Sequence, residues 1–312
     1  MNAVWLTLLL ALPAAAERAA RPDPLASLQA LLDAKRYDEV TLSLKGPALQ
    51  KLSSRDLRRA YDVLGQGFEG LNQFDRALEV YQVGAAIFPK DINILTRLAN
   101  LLHREGLDES AKPYFERILS IHANNASAHL GLAEAQAQLG FLDRAIGHYE
   151  AVLKEWKVQP WIWRDFAETL ARKREYARAV TAIQEALRLE PDNIDSLLDL
   201  AVFRHDEGRR TEALATLARA AEAAPKRRDL RLQEALWRLE AGELDRSHEI
   251  AERVLKEAPD EPLALWVRAS VSLRQGRLPQ AAQDLGRAAA AKDSPFIAKT
   301  ASAMLRALQP RP

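Results

Sequence analysis

The stretch that decides the fold is RRAYDVLGQGFEGLNQFDRALEVYQVGAAIFPKD, Arg58 to Asp91. Apolar residues at helical spacing fill its first half, a polar turn follows at Leu71 to Gln73, and a second helical run ends at Pro89. The stretch therefore predicts two helices joined by a tight turn. A helix pair of this size cannot bury its apolar face alone, so further pairs are expected to stack on it.

The same pattern occurs seven times with a period of 34 residues. Counting Arg58 as position 1, the repeats begin at Arg58, Ile92, Ala126, Pro160, Ile194, Arg228 and Pro262. Position 8 is small in every repeat: Gly65, Ala99, Ala133, Ala167, Ala201, Ala235 and Ala269. Position 20 is small as well: Ala77, Ala111, Ala145, Ala179, Ala213, Ser247 and Ala281. Small residues in both helices predict that the two helices approach each other closely.

Two further positions keep the same register. Position 24 carries Tyr81, Phe115, Tyr149, Ile183, Leu217, Ala251 and Leu285, which we expect to fill the space between helix pairs. Position 15 carries Asn72, Gly106, Gly140, Arg174, Gly208, Gly242 and Gly276, which marks the turn between the two helices.

This pattern resembles the tetratricopeptide repeat, which has large residues at positions 4 and 11, leucine at 7, a small residue at 8, alanine at 20, an aromatic residue at 24 and proline at 32. The first repeat supplies Tyr61, Leu64, Gly65, Phe68, Ala77, Tyr81 and Pro89. The last two repeats depart from the pattern, with Arg231, Glu234 and Arg268 at positions where apolar residues are expected. The resemblance implies an all-α fold, a right-handed superhelical solenoid of antiparallel helix hairpins.

Four segments are predicted along the chain. They are a signal peptide (1–16), a degenerate N-terminal helical hairpin (17–57), the seven repeats (58–293), and a capping helix with a tail (294–312). Leu25 to Leu44 resembles the degenerate hairpin. At the other end, Ser294 and Pro295 signal the start of a helix. Its residues Phe296, Ile297, Met304 and Leu305 are expected to close the stack.

The N-terminal sequence predicts export. An apolar run from Ala3 to Leu12 is followed by Pro13 and by Ala14 to Ala16, which indicates cleavage after Ala16 and a periplasmic or secreted protein. The segment before the run has no Lys or Arg, so an uncleaved anchor is the alternative. The apolar run is shorter than the roughly 20 residues that span a bilayer, so no stable membrane span is expected after cleavage.

Composition indicates a globular protein and limits the classes of partner and site that are expected. The chain is 48% hydrophobic and 28% charged with a formal net charge of +1, so charge does not favour nucleic acid. Without cysteine, disulfides and thiolate metal sites are excluded. The sixth repeat is acidic and the sequence from Arg268 onward is basic. A solvated surface explains most of this pattern, and docking of the basic end on an acidic partner or an anionic surface is the less favoured alternative.

Two short motifs suggest chemistry that their context does not support. GQGFEG, Gly65 to Gly70, spells a dinucleotide-binding pattern, but it lies inside a helix and follows no β-strand. Gly67 and Gly70 are interpreted as incidental or as a source of flexibility. HEIAE, His248 to Glu252, has a glutamate where a helical zinc motif has its second histidine. The sequence therefore predicts no catalytic residue, cofactor or metal site, and an enzyme with an unrecognised helical site is the remaining alternative.

The resemblance also implies a binding groove, lined by positions 2, 5, 9, 12 and 13 of the first helix of each repeat. The candidate residues are Asn93, Thr96, Asn100, His103 and Arg104 in the second repeat and Trp161, Arg164 and Glu168 in the fourth. Thr96 stands where the family's carboxylate-binding variants have a basic residue, so a site of that kind is not predicted. Trp161 is either an exposed anchor or packs on Trp156.

The predicted function is a non-enzymatic scaffold or adaptor that binds a protein or peptide segment in the groove, in the cell envelope. A component of an envelope assembly or polysaccharide-export machine is the alternative, by analogy with exported relatives. The oligomeric state stays open, with a monomer as the working expectation.

Overall fold

The computed structural model of the protein describes residues 25–44, 49 and 52–308. The predicted signal peptide and the tail after Leu308 lie outside this part. Its seventeen helices are α1 (Ala26–Asp33), α2 (Tyr37–Ser43), α3 (Ser54–Gly70), α4 (Phe74–Ile87), α5 (Ile92–Arg104), α6 (Asp108–Ile121), α7 (Ala126–Gln138), α8 (Leu142–Glu155), α9 (Pro160–Arg172), α10 (Tyr176–Leu189), α11 (Ile194–Asp206), α12 (Arg210–Ala223), α13 (Arg228–Glu240), α14 (Leu244–Glu257), α15 (Pro262–Arg274), α16 (Leu278–Ala289) and α17 (Pro295–Leu308). The fold class is all-α, as predicted.

The helices belong to two compact bodies, and each is described by itself. The N-terminal body runs to Phe141 and holds α1 to α7, in which hairpins α3–α4 and α5–α6 stack and α7 packs on α6. The C-terminal body begins at Leu142. There, α8 packs on α9, the hairpins α9–α10, α11–α12, α13–α14 and α15–α16 follow in order, and α17 packs on α16.

The last residue of a repeat often starts the first helix of the next repeat. The side chains of Asp91, Asn125 and Asn193 accept hydrogen bonds of 2.9 to 3.0 Å from the backbone N–H three residues further on. Ser53 does the same for α3, which is why that helix begins at Ser54, before the predicted repeat boundary at Arg58. These caps satisfy N–H groups that a helix N-terminus leaves unpaired.

The 34-residue register fixes the core, and the burial predicted from it is confirmed. The residues at positions 8, 20 and 24 are buried in all seven repeats, and the largest of them are the aromatic residues Tyr81, Phe115 and Tyr149. Position 15 has a positive φ in every repeat, including the two without glycine, Asn72 at 55° and Arg174 at 66°. The left-handed conformation ends the first helix and reverses the chain into the second.

The glycines of GQGFEG all lie at close helix approaches, so the interpretation of Gly67 and Gly70 as incidental was wrong. A β-carbon at Gly65 would overlap the ring of Tyr81 on α4. One at Gly67 would lie 3.1 Å from Cγ1 of Val40, and one at Gly70 would overlap the ring of Tyr37. Helix α2 therefore packs on α3 along Gly67 and Gly70, and α1–α2 cover this side of α3.

The charged residues that stand where the repeat pattern has apolar residues form ion pairs. Arg268 of α15 binds Asp284 of α16 through two hydrogen bonds of 2.7 and 2.8 Å, and Asp284 is only 2% exposed. Arg231 of α13 makes a similar pair with Glu257 of α14. Side-chain pairing thus replaces apolar contact in the last two repeats.

The final helix closes the C-terminal body with part of the predicted surface. Ile297, Met304 and Leu305 of α17 pack against the core formed with α15 and α16, as expected. Phe296 was predicted with them, but it is 77% exposed, so that prediction was wrong. Phe296 lies about 100° around α17 from its neighbour Ile297, whereas Ala301, Met304 and Leu305 share the face of Ile297.

Candidate functional site

The predicted groove residues of the second repeat lie on one side of α5. The opposite side of this helix is buried through Ile94, Leu95, Leu98, Leu101 and Leu102. Asn93, Asn100 and Arg104 are exposed, while Thr96 and His103 are half-buried. The amphipathic spacing of α5 therefore places all five side chains away from the core.

Two arginines on α5 connect this surface to α3. Arg97 binds Asp62 at 3.2 Å, and Arg104 binds Glu69. In both pairs the arginine follows the carboxylate by 35 residues, which is one repeat plus one residue. We call the surface formed by Asp62, Gln66, Glu69, Asn93, Asn100 and Arg104 the polar face. The α3 residues were not among the predicted groove residues, although the 35-residue spacing of opposite charges indicates Asp62 and Glu69.

His103 is held inside the N-terminal body by two carboxylates. Its Nδ1 lies 2.5 Å from Asp108 at the start of α6, and its Nε2 lies 3.3 Å from Glu134 on α7. Hydrogen bonds to Glu134 and Asp108 outweigh the effect of burial and raise the pKa of His103 to about 9. The imidazolium therefore joins α5, α6 and α7, and both ring nitrogens are occupied by the protein itself.

Three amides on the polar face are the groups left for a partner. The hydroxyl of Thr96 donates to the carbonyl of Ile92 on its own helix. In the part of the chain that the structure describes, the side chains of Gln66, Asn93 and Asn100 have no hydrogen-bond partner. Asn93 also lines a cleft of about 310 Å³ with Arg58, Asp62 and Asp91. A carboxamide donates and accepts, so these groups suit the main chain of an extended segment.

The predicted residues of the fourth repeat lie on α9, in the C-terminal body. Trp161 is 45% exposed and Glu168 is exposed, while Arg164 is half-buried and binds Asp199 of α11 at 2.6 Å. This is again a 35-residue spacing. The structure thus brings together Asn93, Thr96, Asn100, His103 and Arg104, and separately Trp161, Arg164 and Glu168.

The two alternatives for Trp161 differ in what the ring contacts. Trp163 and Tyr149 both pack on Phe166, with ring centroids 6.4 and 5.9 Å apart, and Nε1 of Trp163 donates to the carbonyl of Lys157. Within the described residues, no ring contact joins Trp161 to Trp156. The structure therefore favours an exposed Trp161.

The last residue of the zinc-like motif HEIAE forms an ion pair. Glu252 binds Arg268, which lowers the pKa of Glu252. His248 is half-buried on the same helix, α14. Over residues 25–44, 49 and 52–308, the structure has no cluster of three or more His, Asp or Glu side chains placed to hold a metal ion, and no helix long and apolar enough to span a bilayer.

Comparison with known proteins gives consistent matches. One model of the tetratricopeptide repeat matches residues 96–160 and 232–295, and a second model of the same repeat matches residues 170–236. The chain is 23% identical to Tetratricopeptide repeat protein 8 of Caenorhabditis elegans over 52% of its own length and 39% of that protein. It is 26% identical to the BBSome complex member BBS4 of Bos taurus over 66% of its own length and 40% of that protein. The chain thus spans about two fifths of these curated relatives.

Solved structures show the same fold. The C-terminal part of a tetratricopeptide repeat protein from Cytophaga hutchinsonii superposes with a TM-score of 0.66 at 15% identity, over 77% of this chain and 97% of that one. YrrB, described as a tetratricopeptide repeat protein with an unusual peptide-binding site, superposes with a TM-score of 0.52 at 19% identity, over 60% of this chain and 97% of that one.

Proposed function

We propose a binding mode on the premise that this chain belongs to the tetratricopeptide repeat family, whose models match more than half of it. Proteins of this family are interaction scaffolds that bind protein or peptide partners. Our proposal is that the polar face of the N-terminal body binds an extended, uncharged segment of a partner protein. The observation that carries it is the set of unpaired amides, Gln66, Asn93 and Asn100, among charges that are paired with one another.

The charge pattern explains why an uncharged segment is favoured. Asp62 and Glu69 are neutralised by Arg97 and Arg104. His103 is paired with Asp108 and Glu134. A charged partner group would have to displace one of these pairs. The neutral amides can instead bind main-chain N–H and C=O groups, which any extended segment presents. Binding should therefore depend only weakly on salt.

Trp161 supports a second contact on the C-terminal body. A tryptophan that is 45% exposed offers a large apolar surface, and tryptophan is enriched among the residues that dominate binding energy at interfaces. Lys157 and Val158, both exposed, precede it in the sequence. We propose that Trp161 anchors an apolar side chain of the partner.

The proposal is tested by affinity capture with the full chain as bait, followed by quantitative mass spectrometry. A double variant, Asn93→Ala with Asn100→Ala, removes two amides from the polar face. Its matched control, Gln82→Ala with Asn124→Ala, removes two exposed amides elsewhere in the N-terminal body. At least one captured protein should be lost with the double variant and retained with the control. Identical sets of captured proteins would contradict the role of the polar face.

We also propose that the protein acts in the cell envelope, on the basis of the apolar N-terminal run and the small residues before Glu17. Cell fractionation with N-terminal sequencing tests this. A mature protein that begins at Glu17 in the envelope fraction is the expected result, and a cytoplasmic protein with Met1 would contradict it.

Membership of a larger assembly is the second candidate function, which includes the envelope machines considered above. The supporting observation is the similarity to BBS4, which is named as a member of a complex, over 66% of this chain. Native gel filtration of cell extract tests it, since an assembly component should elute far ahead of the purified 34.8 kDa chain. Elution at the position of the purified chain would contradict it.

A further inference from the structure

The sixth repeat has charged residues at three positions that are all apolar in the first two repeats. Positions 4, 7 and 11 carry Tyr61, Leu64 and Phe68 in the first repeat and Leu95, Leu98 and Leu102 in the second. In the sixth repeat they are Arg231, Glu234 and Arg238 on α13. With about 3.6 residues per turn, these positions lie on the side of the helix opposite to the groove positions 2, 5, 9 and 12.

These charges line a cleft of about 610 Å³ between α12 and the α13–α14 hairpin. Ala221, Pro225 and Ile250 give it an apolar wall. Its charged lining residues are Glu222, Arg231, Glu234, Arg238, Arg246, Glu249 and Arg253. The volume is in the range of sites that hold small molecules.

Most of these charged side chains form ion pairs with other residues of the protein. Arg238 binds Glu234 at 2.8 Å and Glu243 at 2.5 Å. The two terminal nitrogens of Arg231 bind Glu257 at 2.8 and 2.7 Å, and this pairing raises the pKa of Arg231. Arg246 makes only a 3.4 Å contact with Glu249.

Two arginines keep unused donors at the cleft. Nε of Arg231 is buried and has no hydrogen-bond partner among the described residues, and Arg253 forms no ion pair with any of them. Buried N–H groups are nearly always paired in native proteins, so Nε of Arg231 lacks the acceptor that a ligand could supply. Arginine binds oxyanions through several N–H groups at once, which makes an oxyanion the fitting occupant.

We propose that this cleft binds a small monocarboxylate with an apolar chain. The carboxylate accepts hydrogen bonds from Nε of Arg231 and from the guanidinium of Arg253, and the chain lies on Ala221, Pro225 and Ile250. Glu222 and Glu249, also at the cleft, repel a second negative charge, so a monoanion is preferred to a dianion such as phosphate. The site is separate from the polar face, so it does not depend on the function proposed above.

Isothermal titration calorimetry of the full chain tests the proposal with three probes: hexanoate, hexanol and inorganic phosphate. Hexanoate should bind saturably, hexanol should not, and phosphate should bind more weakly than hexanoate. No saturable heat with hexanoate, equal heats with hexanol, or tighter binding of phosphate would each overturn the assignment.

Variants locate the site. Arg253→Gln should weaken hexanoate binding about tenfold because it removes one charge-assisted contact. Arg231→Lys should also weaken it, since the charge facing Glu257 is kept while the Nε donor is lost. Arg188→Gln, an exposed arginine on α10, should bind as the wild type does. Unchanged affinity in Arg253→Gln would overturn the proposal. Unchanged affinity in the Asn93→Ala, Asn100→Ala variant is expected and separates this site from the polar face.

Discussion

The ring of Tyr81 lies against the backbone of Gly65, and its hydroxyl donates a hydrogen bond of 2.6 Å to Glu69. Burial, together with this hydrogen bond, raises the pKa of Tyr81, so the phenol stays protonated as the donor. Glu69 also binds Arg104 of α5. Tyr81 therefore connects the close approach of α3 and α4 at Gly65 to the polar face.

Gly65→Ala should destabilise the protein by about 1 to 3 kcal/mol. The added β-carbon overlaps the Tyr81 ring, and overpacking of this kind outweighs the gain of up to about 1 kcal/mol in helix propensity. Gly147→Ala is the matched control, because that helical glycine has nothing within 4 Å of an added β-carbon. Urea unfolding should show a loss for the first variant and no loss for the second. Equal effects would contradict the close approach.

His103 should make stability fall with rising pH. Its pKa is raised from 6.5 to about 9 in the folded state, so the stabilisation by the imidazolium is complete below about pH 6.5 and is lost as the pH rises through 9. Between pH 6 and 9.5, the free energy of unfolding of the wild type should fall by about 1 to 3 kcal/mol more than that of His103→Gln. Urea titrations at both pH values measure this. Parallel changes in the two proteins would refute the two-carboxylate contact.

Arg174→Gly should stabilise the protein by about 0.5 to 1 kcal/mol. Arg174 has φ 66°, which a residue with a β-carbon adopts at a cost, and its side chain makes no hydrogen bond or ion pair to any described residue. Gly208→Ala, at the same position of the next repeat with φ 91°, should destabilise by a similar amount. Thermal unfolding of the two variants should shift in opposite directions, and shifts of the same sign would speak against the assigned turn.

Arg268→Leu should destabilise the protein by about 3 to 5 kcal/mol, because it leaves the buried carboxylate of Asp284 without its partner. Adding Asp284→Leu should recover most of the loss, since both members of the ion pair are then apolar. Chemical denaturation of the single and double variants tests the coupling. A double variant no more stable than Arg268→Leu would show that the pair does not act as described.

The repeat register explains why much of this fold follows from sequence. Positions 8 and 20 are small where two helices approach, and position 24 is large in most repeats. Ala99 and Phe115 could therefore be placed in the core from their spacing alone. The turn at position 15 could also be predicted from the spacing, even where Arg174 replaces glycine. These features depend on contacts within one hairpin or with its immediate neighbour.

Other contacts depend on geometry that the period does not specify. The packing of Tyr37 on Gly70 follows from the crossing of α2 over α3, and α2 lies outside the seven repeats. The 35-residue spacing marks Glu69 and Arg104 as candidate partners, but whether they pair depends on the rotation between successive hairpins and on side-chain conformation. For the same reason, sequence placed His103 among the partner contacts, whereas the structure shows it bound by Asp108 and Glu134.

Site-specific photo-crosslinking tests the central claim most directly, because it reports contact at a chosen residue. A benzophenone amino acid in place of Asn100, on the polar face, is compared in cells with the same amino acid in place of the exposed Gln82 of α4. We predict a crosslink from position 100 to one continuous segment of a partner protein, and none to that segment from position 82. A partner crosslinked only from position 82, or equally from both, would contradict binding on the polar face.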